Sequence, residues 1–167
     1  MSHTGSIEEA CRRAESLIQG GAPTPEVLDC LIDAAQGLAE GAVSSILVLD
    51  DQGFLRNGHS PGLPHDYLQA IDGLKPDPGV GTCAAAAATK SIVVTPSFLT
   101  DDKWAELRHL PHSLGFVGAW SMPIVSSRSG FVVGTFGTYF RESREPSNEE
   151  IEAVRKLAAV AARAIER

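Results

Sequence analysis

The chain has 167 residues, 43% of them apolar and 21% charged, which is the usage of one folded domain and excludes disordered, collagen-like and coiled-coil rod classes. Its 14 Lys plus Arg stand against 21 Asp plus Glu, a formal charge of -7. That field repels phosphate backbones and anionic lipid surfaces, so neither nucleic acid nor membrane is an expected partner. No apolar run approaches the roughly 18 residues of a membrane span, and the opening MSHTGSIEEACRR lacks a signal-peptide core. A cytoplasmic protein with reduced thiols is expected, because Cys11, Cys30 and Cys83 are odd in number and form no CxxC pair.

Ser6 and Glu9 spell a capping box for a first helix whose Ile7, Ala10, Cys11, Ala14, Leu17 and Ile18 share one stripe before Gly20 and Gly21. Thr24 reads as the cap of a second helix, with Pro25 in its first turn and an apolar face of Val27, Leu28, Leu31, Ile32, Ala35 and Leu38. Cys11 and Cys30 lie on these stripes and read as core thiols. Val43 to Leu49, the turn Asp51-Gln52-Gly53 and Phe54 to Gly58 form a hairpin. A short helix carrying Tyr67, Leu68 and Ile71 follows, then the loop KPDPGVGTC, a strand at Ile92 to Thr95 and a helix from Asp101 to Leu110 bearing Trp104 and Leu107. Phe116 to Ile124 and Phe131 to Phe140 are the last strands, joined by SSRSG. A capping box at Ser147 and Glu150 opens the closing helix, where Ile151, Val154, Ala158, Ala161 and Ile165 keep a heptad seam. The seam predicts a homodimer in which the first and last helices of two copies form a four-helix bundle. Packing on the chain's own first helix is the other use of it.

Between Asp72 and Glu166 the segments DGLKPDPGVGTCAAAA, SIVV, DDKWAELRHL, SLGFVGAWSMPI, GFVVGTFGTYFRESREPSNEE and AARAIER resemble the GAF domains of bacterial sensor kinases and related signalling proteins. Residues 22 to 71 match more loosely. The resemblance implies an α+β, GAF-like and PAS-related fold, a central antiparallel sheet flanked by helices, with amphipathic N- and C-terminal helices. Residues 1-21 form an N-terminal helix outside it, and 22-167 the domain proper. It also implies a sensory module, one that binds a small molecule between sheet and covering helices or pairs copies without a ligand. Where the family pattern has Gly-Thr after the loop cysteine this chain has Ala84 and Ala85, and Ala88 replaces a frequent aromatic. The alanine run leaves either a roomier pocket or a tighter helix contact.

Gly79 to Ala84 fit the letters of a dinucleotide fingerprint, but a polar helix rather than a strand precedes them, so that reading fails. A Gly-rich turn opening a short helix can still offer N–H groups to a small anion, or simply pack closely. Cys83 stands at that helix start, where the dipole favours thiolate. No resolving cysteine is apparent for it, which argues against the free methionine sulfoxide reductase activity that some GAF domains carry. His109 and His112 are three residues apart, a weak metal or haem signal that Pro111 disrupts. No cofactor is assigned. Trp104, Trp120, Thr135 and Tyr139 are expected around a ligand pocket, with Thr82, Cys83, Ser121, Arg108 and His112 as its polar groups, although each aromatic also suits a core. No catalytic residue is assigned. The expected function is a small-molecule-sensing regulatory domain in signal transduction, with a ligand-free dimerisation scaffold as the rival reading and a Cys83 thiol enzyme or haem or metal sensor behind it.

Overall fold

Alternation along the strands decides which side chains meet, and five antiparallel strands, in the spatial order Leu55–His59, Val43–Leu49, Val132–Phe140, Gly118–Val125 and Val93–Thr95, set the faces. The computed structural model describes residues 3–167, and side chains from Ser6 onward. β1 (Val43–Leu49) and β2 (Leu55–His59) make the predicted hairpin, closed where Asp50 accepts hydrogen bonds from the Gln52 and Phe54 amides, both at 2.9 Å. β3 is Val93–Thr95, β4 is Gly118–Val125 and β5 is Val132–Phe140. Val43, Ser45 and Leu47 stand opposite Tyr139, Gly137 and Thr135, while Ala119 and Ser121 stand opposite Tyr139 and Gly137, so these residues share one face. Ile46, Trp120, Met122, Ile124, Phe136 and Phe140 fill the other.

That second face carries three helices, α1 (His3–Gln19), α2 (Thr24–Gln36) and, at the chain end, α6 (Asn148–Glu166), in one buried cluster with the sheet. Many residues of the apolar stripes read from the sequence are buried, among them Ala14, Val27, Leu28, Leu31, Val154 and Ala158, and Leu157, which the seam omits, is buried with them. Two boundaries differ. α1 begins at His3 and runs through Ser6, so the Ser6–Glu9 pair lies within the helix rather than at its start. In α2 the cap is Pro23, and Thr24 and Pro25 both lie in the first turn, where a missing N–H costs nothing.

α6 opens as expected. The Ser147 hydroxyl accepts from the Glu150 amide and the Glu150 carboxylate from the Ser147 amide, both at 3.1 Å, and Arg144 pairs with Glu150 while lying over the Phe140 ring at 4.4 Å. Arg141 donates to the Leu114 carbonyl and lies over Phe116, so both arginines hold the strand exit. The heptad seam is taken up inside the chain: Val154, Ala158 and Ala161 are buried, and Ile151 and Ile165 pack on the same cluster as α1, α2 and the sheet. Three of the five seam positions thus serve the chain's own core, while Ile151 and Ile165 stay only partly buried.

The first face is roofed by α3 (His65–Ile71), α4 (Cys83–Thr89), a 3-10 turn at Asp102–Trp104 and α5 (His109–His112). The single helix expected from Asp101 to Leu110 is broken. Pro111 has no N–H for the Leu107 carbonyl and its ring crowds that oxygen, so the chain turns on Trp104 and restarts with Pro111 in the first turn of α5.

Candidate functional site

Between this roof and the sheet lies a cavity with about 20 Å³ of free volume, room for one water. Leu47, Ala119, Gly137 and Tyr139 form its floor, Tyr67, Ile71 and Leu74 one wall, Thr82, Cys83 and Ala84 another, and Trp104 with Leu107 the lid. A Cβ on Gly137 would meet the Cys83 sulfur at 2.9 Å, so glycine here lets that side chain and the first turn of α4 settle on β5 without displacement. The buried alanines 84 to 87 bring the rest of α4 equally close. Of the two outcomes open for the alanine run, the structure shows the tighter contact; Ala88 is exposed and away from the cavity.

The Cys83 side chain is packed over the sheet, and the Ser121 hydroxyl donates to its sulfur at 3.4 Å. Burial pushes the thiol up, and the Ser121 and Thr135 hydroxyls only partly oppose that. The thiolate expected from the helix start is therefore not favoured: α4 is one short helix, and desolvation outweighs its dipole. Three amides of the Gly-rich turn are already committed within the chain. The Gly79 amide donates to the Asp77 side chain at 2.8 Å, Val80 to the Asp77 carbonyl and Gly81 to the Lys103 carbonyl.

Trp104 holds the lid through a one-way chain of hydrogen bonds. Its indole N–H donates to Thr82 Oγ1 at 2.8 Å, Thr82 and Thr95 hydroxyls are 2.9 Å apart, and Thr95 donates to Asp101 Oδ2 at 2.7 Å. Because Thr95 gives its proton to the carboxylate, Thr82 must give its own to Thr95, which leaves the Thr82 oxygen to receive the indole. Lys103 closes the chain on Asp101 at 2.9 Å. Burial alone would raise the Asp101 carboxyl, but the bonds from Thr95 and Lys103 hold it below the usual carboxylate range. A depressed carboxyl contributes stability that is complete above the unfolded value of about 3.9 and is lost as pH falls through the folded one. Acid titration of Trp104 packing, followed by denaturant midpoint, is thus expected to show loosening only below about pH 4, and Asp101→Asn to remove that step. An unchanged acid profile in Asp101→Asn would contradict the role given to the carboxylate.

Of the nine residues singled out from sequence, Thr82, Cys83, Trp104 and Tyr139 surround the cavity with their side chains, and Ser121 and Thr135 share the same sheet face beside Cys83. Trp120 contributes backbone only. Its ring points to the other face, in the cluster with α2 and α6. Arg108 is outside the cavity lining with its Nε buried and unpartnered among the described residues, and His112, like His109, is exposed. Among the described residues no group of three His, Cys, Asp or Glu is placed to hold a metal. Tyr67 went unnoticed as a site residue. It reads locally as one more apolar position of α3, yet its hydroxyl meets that of Tyr139 at 2.7 Å, 72 residues away in the chain.

A five-stranded antiparallel sheet with terminal helices on one side and a roofed cavity on the other defines an α+β domain of the sensory type. The chain belongs to the GAF family: the model of the GAF domain matches residues 21–166. Over 150 residues it is 35% identical to the methyl sulfide methyltransferase-associated sensor of Methanosarcina acetivorans, covering 89% of this chain and 15% of that protein. The chain therefore spans only a small part of that relative's length. Similar solved structures include the GAF domain of a phosphoenolpyruvate-protein phosphotransferase from Coxiella burnetii (TM-score 0.77, 17% identity, 98% of this chain and 95% of that one). They also include fRMsr of Staphylococcus aureus in its reduced form (TM-score 0.75, 12% identity, 99% and 96%). At these identities the structures establish the fold alone, while the sensor relative supports a regulatory sensing role. No described helix is long and apolar enough to cross a membrane.

Proposed function

We propose that this domain is a non-catalytic sensor that takes a small molecule into the cavity beneath Trp104 and passes occupancy to its terminal helices. One observation carries the reading. β4 faces the cavity through Ala119, supports the lining residue Cys83 through Ser121, and faces α6 through Trp120, Met122 and Ile124, so a displacement of the cavity floor is felt in the cluster that holds α6. The closed cavity holds about one water, so a larger ligand binds by selecting a state in which the lid has lifted, and it shifts that population by its differential affinity. A thiol enzyme is disfavoured because Cys11 and Cys30 lie in the helix layer across the sheet from Cys83. In a thermal-shift screen of small neutral metabolites at least one is expected to raise Tm saturably, by the mass-action relation for a ligand of the native state. The small free volume favours one rival, a scaffold whose own side chains fill the site, and no stabilisation by any compound would establish that rival.

A further inference from the structure

Counting protons in the cavity narrows what it accepts. Tyr67 and Tyr139 bring two O–H groups together at 2.7 Å, and both side chains are almost fully buried, 4% and 5% exposed. One phenol donates to the other and its proton is spent. The second phenol's proton has no acceptor among the described residues, since neither oxygen makes any other hydrogen bond. Of the other polar side chains lining the cavity, Thr82 receives the Trp104 indole and gives to Thr95, and the Cys83 sulfur receives Ser121, while the buried Thr135 hydroxyl, without a partner among the described residues, lies on the same sheet face but outside the lining. A lone water would be poorly held there, because buried waters need two to four polar partners and the walls are otherwise apolar.

Charge is the second constraint. Among the described residues no Asp, Glu, Lys, Arg or His lines the cavity, and the ion pair at the end of the Trp104 chain, Asp101 with Lys103, is closed on itself. A carboxylate, phosphate or ammonium would therefore be desolvated without a counter-charge, a large penalty. Both phenols also stay protonated at ordinary pH, because burial pushes each of them up.

Building on the sensing function proposed above, we infer that the ligand of this cavity is a small uncharged molecule bearing one hydrogen-bond acceptor, which takes the unspent hydroxyl proton of the Tyr67–Tyr139 pair. Apolar walls enclose the rest of it.

Three planar probes of similar shape test this on the intact chain: acetone, which has an acceptor; isobutene, which has none; and acetate, which has the acceptor and a charge. Amide chemical shifts at Cys83 and Gly137 report occupancy. The ratio of acetone to isobutene affinity is expected to stand roughly ten-fold above its value in Tyr67→Phe/Tyr139→Phe, the worth of satisfying one buried donor, because comparing ratios cancels the different hydration of the two probes. Acetate is expected to leave the shifts unmoved. In the double variant isobutene should still bind. Each single Phe variant leaves one hydroxyl with its proton unclaimed and should keep the higher ratio, which guards against a double variant that fails to fold. An acetone-to-isobutene affinity ratio unchanged by Tyr67→Phe/Tyr139→Phe would overturn the inference and leave the sensing role standing, as would saturable acetate binding at Cys83 and Gly137. Saturation by none of the three would overturn the inference, and would overturn the sensing role with it only where no compound in the thermal-shift screen raises Tm either.

Discussion

Replacing Gly134 with alanine is expected to destabilise the domain by about 3 kcal/mol, the upper part of the range for overpacking, with a fall in Tm of about 10 °C. Gly134 lies in β5, opposite Val48 of β1 and Ile124 of β4. A Cβ there would stand 2.3 Å from the Leu47 carbonyl oxygen, far inside any contact that real side chains make. The obstacle is backbone, not a flexible side-chain end, and β5 is hydrogen-bonded on both edges, so it has no free side toward which to retreat. Gly118 provides the comparison. A Cβ on it would meet the Pro96 and Thr95 carbonyl oxygens at 2.5 and 2.7 Å, but those belong to the β3 edge, which pairs with β4 alone and can shift outward. Gly118→Ala should therefore cost less than Gly134→Ala despite a similar clash. Denaturant unfolding of the two variants measures the order, and a cost under about 1 kcal/mol for Gly134→Ala would show that the centre of the sheet yields more than its pairing implies.

What was legible in advance follows the range of the interaction concerned. The Ser147–Glu150 capping box, the β1–β2 turn at Asp50 and the apolar stripes of α1, α2 and α6 depend on neighbours within a turn or two, and the sequence shows them directly. The alternation along β5 correctly placed Thr135, Gly137 and Tyr139 on one face, but alternation does not say which face covers the cavity. That choice needs the register with β4, and it separates Trp104 from Trp120. A heptad pattern in α6 likewise reports that a face is buried and not by what; here the sheet and the chain's own helices bury it. The Cys83 misreading is one of competing magnitudes. A helix dipole is visible in a sequence, whereas the desolvation that defeats it depends on β4 and β5 arriving from dozens of residues away. For the same reason Tyr67, ordinary within its own helix, becomes chemically distinct only when paired with Tyr139.

Opposite placement of the two tryptophans leads to the second large effect. Trp104→Ala is expected to cost about 4 kcal/mol, because it removes a buried ring, its edge contact with Phe98 at 4.6 Å and the indole bond that ends on Thr82. The vacated space joins the existing cavity, so the variant should recover stability on adding indole, by about 2.7 kcal/mol at a hundred times its Kd. Trp120→Ala should cost a similar amount, since that ring is also buried, but the hole it leaves opens beneath α6 on the far side of the sheet. Alkylation of Cys83 under native conditions distinguishes the two. Both variants raise global unfolding alike, and only Trp104→Ala also removes the lid over the cavity that Cys83 lines, so its labelling rate should exceed that of Trp120→Ala at matched stability. Equal rates would mean that Cys83 is reached only by global unfolding, and the lid assigned to Trp104 would then not control entry to the cavity.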